Sequence, residues 1–160
     1  GGRLTVTGSG KPVIENVGNF NLSGGTISTK SNSDGIGFLQ SGGSATIQAQ
    51  ELITDRLYIN SSFTVASGGK VTSGSTIIDS GTLTNEGEFV SNGPFVKEEN
   101  GRFINTGTIS GNGSLPDDAK QTPDPITVYT AEISENYKEN MSIDVKNLAA
   151  IQEPVRAGKL

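Results

Sequence analysis

The sequence predicts an all-β fold: a single-stranded β-helix (β-solenoid) of about six coils over residues 1–115. Three observations carry that prediction. In "GTLTNEGEFVSNGPFVKEENGRFINTGTISGNG" (81–113), glycines fall at 81, 87, 93, 101, 107 and 113, a step of six with one step of eight. Two residues after each of the first five sits an apolar side chain: Leu83, Phe89, Phe95, Phe103 and Ile109. Finally, Gly, Ser, Thr and Asn are abundant while large apolar residues are few. That leaves too little volume for a thick core, yet the spacing is too regular for disorder. A thin, linear core satisfies all three.

The period extends well beyond that stretch. Backwards from Leu83 it meets Ile77, Val71, Val65, Ile59, Ile53 and Ile47. Forwards it meets Phe89 and Phe95 and then, after a two-residue slip at "KEENG", Phe103, Ile109 and Leu115. A period of six keeps no residue on one face of an α-helix, and the Gly, Thr and Asn content opposes helix. Within each unit the alternation is strand-like, as in Thr82-Leu83-Thr84 and Glu88-Phe89-Val90. Gly and Asn supply the corner, where they tolerate backbone angles that β-branched residues refuse.

Three such units make one coil, and strands of successive coils pair about 4.8 Å apart. The coils align as a first column of Val6, Ile27, Ile47, Val65, Leu83 and Phe103. A second holds Ile53, Val71, Phe89 and Ile109. The third holds Phe20, Phe38 or Leu39, Ile59, Ile77, Phe95 and Leu115. Extra residues belong at protruding corners, "SNSDGIG" (31–37) and "KEEN" (97–100), where a solenoid carries its individuality.

After Leu115 the composition changes. "PDDAKQTPDP" (116–125) holds three of the six prolines and four charges, and reads as a linker. Residues 126–160 have a different rhythm, with strand-like alternation at Ile126, Val128 and Thr130 and again at Ile143 and Val145. Thirty-five residues are too few to close a sandwich. The segment is expected to be a partial β-rich module or a cap on the solenoid end. The opening "GGRLTVTG" starts inside the repeat and has no signal-peptide pattern, as expected of a piece of something longer.

Composition also excludes functions. A net charge of −5 and a pI near 4.7, with Lys and Arg scattered, argue against nucleic acid. With no Cys there is no disulfide or thiol chemistry, and with no His there is no histidine base or imidazole metal site. No apolar run reaches membrane-spanning length, so no membrane insertion is expected.

"NLSGGTISTKSNSDGIGFLQSGGSATIQA" (21–49) resembles the glycine-punctuated coils of pectin-lyase-like right-handed β-helices in exported bacterial proteins, some of them carbohydrate-binding domains. "GTLTNEGEF" and "GRFINTGTISGNG" resemble the repeats of bacterial adhesin and autotransporter passengers. The C-terminal segment is similar to the first strands of Ig-like modules in large Gram-positive surface proteins. The likeness covers roughly residues 2–115 and implies a right-handed coil and an extracellular, cell-surface or cell-wall location. It also implies a glycan or host-surface component as partner. Periodicity alone would also allow a left-handed hexapeptide helix, as in some acyltransferases. The large Phe residues, the drifting coil length and the missing histidine argue against that.

Carboxylates are the remaining chemistry. A lyase on this scaffold would gather acids around Ca²⁺ with a Lys or Arg base nearby. The solenoid offers Asp34 and Asp55, about one coil apart, with Lys30 or Arg56 near them. The expectation is solvated corner acids, with a weak Ca²⁺ site at "SNSDG" as the one cofactor candidate. A second constellation is the file Thr5, Thr26, Thr46, Thr64 and Thr82, expected to point outward as a polar platform for a glycan, or to serve only as good strand residues. Tyr58 and Phe63 are the expected outward or corner aromatics for sugar stacking. Together these predict a non-enzymatic structural or adhesive segment. The alternatives are a carbohydrate-binding module and, after that, a degenerate polysaccharide lyase.

Overall fold

The computed structural model describes residues 2–9 and 12–119. Residues 120–125 of the expected linker (116–125) and the expected β-rich module at 126–160 lie outside the described residues. Every strand pairing among the described residues is parallel, and they form a β-solenoid of about five turns. β1 (Arg3–Gly8), β2 (Ile14–Asn16) and β3 (Asn19–Leu22) lie on three successive faces and make the first turn. β4 (Thr26–Ser31), β5 (Phe38–Gln40) and β6 (Ser44–Ile47) repeat it.

In the next two turns the first two faces fuse into ten-residue strands, β7 (Gln50–Ile59) and β9 (Gly69–Ile78). These are followed by β8 (Ser62–Val65) and β10 (Thr82–Asn85) on the third face. β11 (Glu88–Ser91), β12 (Phe95–Lys97) and β13 (Arg102–Asn105) complete the fifth turn, and β14 (Thr108–Ser110) opens a sixth. The expected count of about six is therefore five complete turns plus one strand.

The inward residues stack in register. On the first face Ile27, Leu52, Val71, Phe89 and Ile109 form one column. On the second, Ile14, Phe38, Leu57, Thr76 and Phe95 do so. On the third it is Phe20, Ala45, Phe63, Leu83 and Phe103. Leu52, Phe38, Leu57, Phe63 and Leu83 are fully buried. Aromatic edges link the columns: Phe38 meets Phe20 at 5.2 Å and Phe63 at 5.8 Å between ring centroids.

These columns differ from those the six-residue period predicts. Leu52, not Ile53, faces inward, and Phe95 stacks on Thr76, not Ile77. Val65 and Leu83 are both buried but belong to different columns, Leu83 sitting over Phe63 and Val65 over Asn85. The physical reason is a change of parity at the corner. In β7 the buried residues are Leu52 and Thr54 before Asp55-Arg56, and Leu57 and Ile59 after it. A six-residue step preserves parity and so lands outside on one side of the bend.

Polar side chains line the corners from within. Thr29, Thr54, Ser73 and Ser91 stack in register at the bend between the first and second faces, all buried. The Thr54 and Ser73 hydroxyls donate to main-chain carbonyls two residues on, at Arg56 (3.1 Å) and Ser75 (2.5 Å). At the opposite bend, near the end of the solenoid, Asn85 Nδ2 donates to Asn105 Oδ1 (2.6 Å) and to the Thr108 carbonyl (3.0 Å). Bending a strand frees main-chain acceptors, and Thr54, Ser73 and Asn85 satisfy them from inside the coil.

Candidate functional site

The three outer faces carry different chemistry. On the third, Asn19, Ser44, Ser62, Thr82 and Arg102 form one outward column, and Asn21, Thr46, Thr64, Thr84 and Ile104 form the other. On the first, one column is Arg3, Thr26, Glu51, Lys70, Glu88 and Thr108, and the other is Thr5, Ser28, Ile53, Thr72, Val90 and Ser110. On the second the column is Glu15, Leu39, Tyr58, Ile77 and Val96, a largely apolar ladder.

The "SNSDGIG" corner folds against this apolar ladder. The backbone N–H of Ser31 donates to Asp55 Oδ2 (2.7 Å), and that of Arg56 to Asp55 Oδ1 (3.0 Å). Gly37 N–H donates to the Arg56 carbonyl (3.0 Å), and Arg56 Nη1 donates to the Asp34 carbonyl (2.7 Å). Gly37 is required for this closeness, because a Cβ there would collide with the side chains of Asp55 and Thr54. The protruding corner is thus pinned at both ends by one Asp-Arg pair from the next turn.

Between the corner and the ladder lies a cleft of ≈ 310 Å³. Pro12, Ile36, Tyr58 and Ile77 make its apolar walls, and Asp34 and Arg56 form the polar part of the lining. Tyr58 is half-buried there, held by Leu39 on one side and Ile77 on the other. Among the described residues Asp34 is exposed, and no three or more acids gather as a metal site would need. A wider groove crosses the corner before the first face, lined by Glu51, Lys70, Glu86 and Glu88. There Lys70 Nζ meets Glu88 Oε1 at 2.8 Å, and the Thr72 hydroxyl donates to Glu51 Oε1 (2.6 Å). The Glu88 hydrogen bond, helped by the Glu88 and Glu51 charges and opposed by slight desolvation, holds the Lys70 ammonium above its usual range.

The expected site residues fare differently. Tyr58 lies in the cleft. Phe63, expected outside, is fully buried in the third-face column, because it occupies an inward position of β8 between Ser62 and Thr64. Thr46 and Thr64 are in register with each other, but their next neighbour is Thr84. Thr82 belongs to the parallel column beside them, and Thr26 lies on the first face. The five-threonine file is therefore not one ladder. Asp34 sits in the corner that Asp55 pins at Ser31, and Asp55 spends both oxygens on main-chain N–H groups. Ile36, Ile77 and Pro12 were not expected at a site. The signal for Ile77 was its place next to Ile78, two consecutive apolar residues of which a strand can bury one. Comparison with protein-family models, characterised proteins and solved structures found no match for this chain.

Proposed function

We propose that this chain is a non-enzymatic structural or adhesive segment of a secreted or wall-attached bacterial surface protein. The observation that carries the reading is the state of its carboxylates. Asp55 holds two backbone amides, Glu51 accepts the Thr72 hydroxyl, and Glu88 pairs with Lys70. Catalysis by proton transfer needs groups poised at one reacting centre with environments that tune them. Here these three acids brace the coil instead. The likeness of residues 21–49 to pectin-lyase-like coils and of the later repeats to adhesin passengers supports the location.

The test is incubation of the purified chain with pectate and alginate in millimolar Ca²⁺, following unsaturated products by absorbance. The expected result is no turnover; turnover lost in Asp55→Ala would overturn the reading in favour of a degenerate lyase. One observation favours carbohydrate binding as a second reading: Tyr58 is half-buried, in a cleft that also carries hydrogen-bonding side chains.

A further inference from the structure

We infer that the cleft between the "SNSDGIG" corner and the second face is a binding site for a neutral pyranose ring. The assignment rests on the non-enzymatic, adhesive reading and gives it a place and a ligand class. The argument is one of complementarity. The walls are Ile36, Tyr58, Ile77 and Pro12, so whatever enters must have an apolar face. Tyr58 adds an aromatic ring, which offers a polarised surface to C–H groups as well as area.

Asp34 and Arg56 bring the opposite requirement. Asp34 is an exposed residue whose carboxylate only accepts. Arg56 commits Nη1 to the Asp34 carbonyl and carries further donors on its guanidinium fork. A carboxylate ligand would be drawn to Arg56 but repelled by Asp34, an ammonium ligand the reverse, and a purely apolar side chain would strip water from both without replacing it. A neutral ring with an apolar face and a hydroxylated edge satisfies all of them, since each hydroxyl both donates and accepts. The volume of ≈ 310 Å³ lies at the small end of ligand pockets, about 300–1,000 Å³. That suits one ring of a chain whose neighbours run on along the surface.

The corner is prepared for this. Asp55 and Arg56 fix the backbone on both sides of Asp34 before any ligand arrives, so little ordering is left to binding. None of the outward residues of the third face, Thr46 and Thr64 among them, lines the cleft. That face therefore serves as an internal control.

The experiment titrates the full chain, methyl-labelled at isoleucine, with neutral tetrasaccharides of glucose, mannose and galactose and with a galacturonate tetrasaccharide. Binding of at least one neutral tetrasaccharide should shift the Ile36 and Ile77 methyl signals. Its affinity should fall by about tenfold or more in both Tyr58→Ala, which removes the stacking ring, and Asp34→Asn, which removes a charged hydrogen-bond acceptor. Thr64→Ala should stay within about twofold, as a surface change away from the site. Asp34→Asn removes one charge at an exposed corner, so it remains informative should Tyr58→Ala fold poorly.

The proposal is overturned if no neutral tetrasaccharide shifts those methyls, if galacturonate binds more tightly, or if both variants retain affinity. The two readings separate cleanly. Silence in this titration with no lyase turnover removes the cleft assignment and leaves the spacer. Lyase turnover removes the non-enzymatic reading and the cleft assignment with it.

Discussion

Phe63→Ala should be among the most damaging single changes available in this solenoid. Phe63 is fully buried, with Ala45 below it and Leu83 above it in the third-face column. Its ring packs edge-on against Phe38 at 5.8 Å and 85°, and Phe38 in turn packs against Phe20. Neither stacked neighbour can fill the hole. Ala45 has no reach, and Leu83 is held by its own strand one spacing away. Phe→Ala changes in cores cost about 3–5 kcal/mol, and poor collapse puts this site toward the upper part of that range.

Thr64→Ala, one residue along and half-buried on the outer face, loses only part of a Thr ladder, about 0.5 kcal/mol. With a urea m-value of about 2 kcal/mol/M, Phe63→Ala moves the midpoint down by about 2 M and Thr64→Ala by about 0.25 M. Equilibrium urea unfolding followed by far-ultraviolet circular dichroism measures both. Because solenoid turns are coupled to their neighbours, a defect in the third turn also threatens to split the transition in two. Equal midpoints for the two variants would refute the inward placement of Phe63.

Leu83→Asp places a carboxylate between Phe63 and Phe103 with no partner, and should cost several kcal/mol. Thr84→Asp beside it should cost about 0.5 kcal/mol, and the urea midpoints compare them. Gly37→Ala forces a methyl against Asp55 and Thr54, loosening the 31–37 corner; faster amide exchange at Ser31 and Gly37 reports it, and unchanged protection would contradict the packing. The Lys70–Glu88 pair should stabilise the fold through neutral pH. Because the folded Lys70 value is raised, its contribution is whole below the ordinary 10.5 and is lost as pH climbs through the raised value. The midpoint difference between wild type and Lys70→Met should therefore shrink in strong alkali, and should be small throughout because both side chains are about half exposed.

The class of fold was legible in the sequence because its cause is local: an apolar residue, a turn of the backbone and a glycine, repeated. That repeat places Leu83, Phe89, Phe95 and Ile59 inside, and they are buried. What the period could not carry is the change of parity at each bend. Asp55-Arg56 in β7 and Gly74-Ser75 in β9 shift the buried set by one residue. Ile53 and Ile77 keep the period and so end outside, and Phe63, off the period, ends inside. Ala45 and Asn85 could not be recognised as column members, since neither looks like a core residue until its neighbours in adjacent turns are known. The site was half legible for the same reason. Tyr58 and Asp34 declare their chemistry, whereas Ile36, Ile77 and Pro12 become walls only through register.

Which side chains face outward, and hence whether the Tyr58 cleft exists, depends on that register. Its most direct measure is a nuclear Overhauser spectrum of the labelled chain, observed at the Leu83 backbone. Strands in adjacent turns lie about 4.8 Å apart, within range of such contacts. The structure predicts that Leu83 contacts Phe63 on one side and Phe103 on the other, with Asn85 contacting Val65. Leu83 in contact with Val65 instead, the stacking that a plain eighteen-residue coil demands, would contradict it.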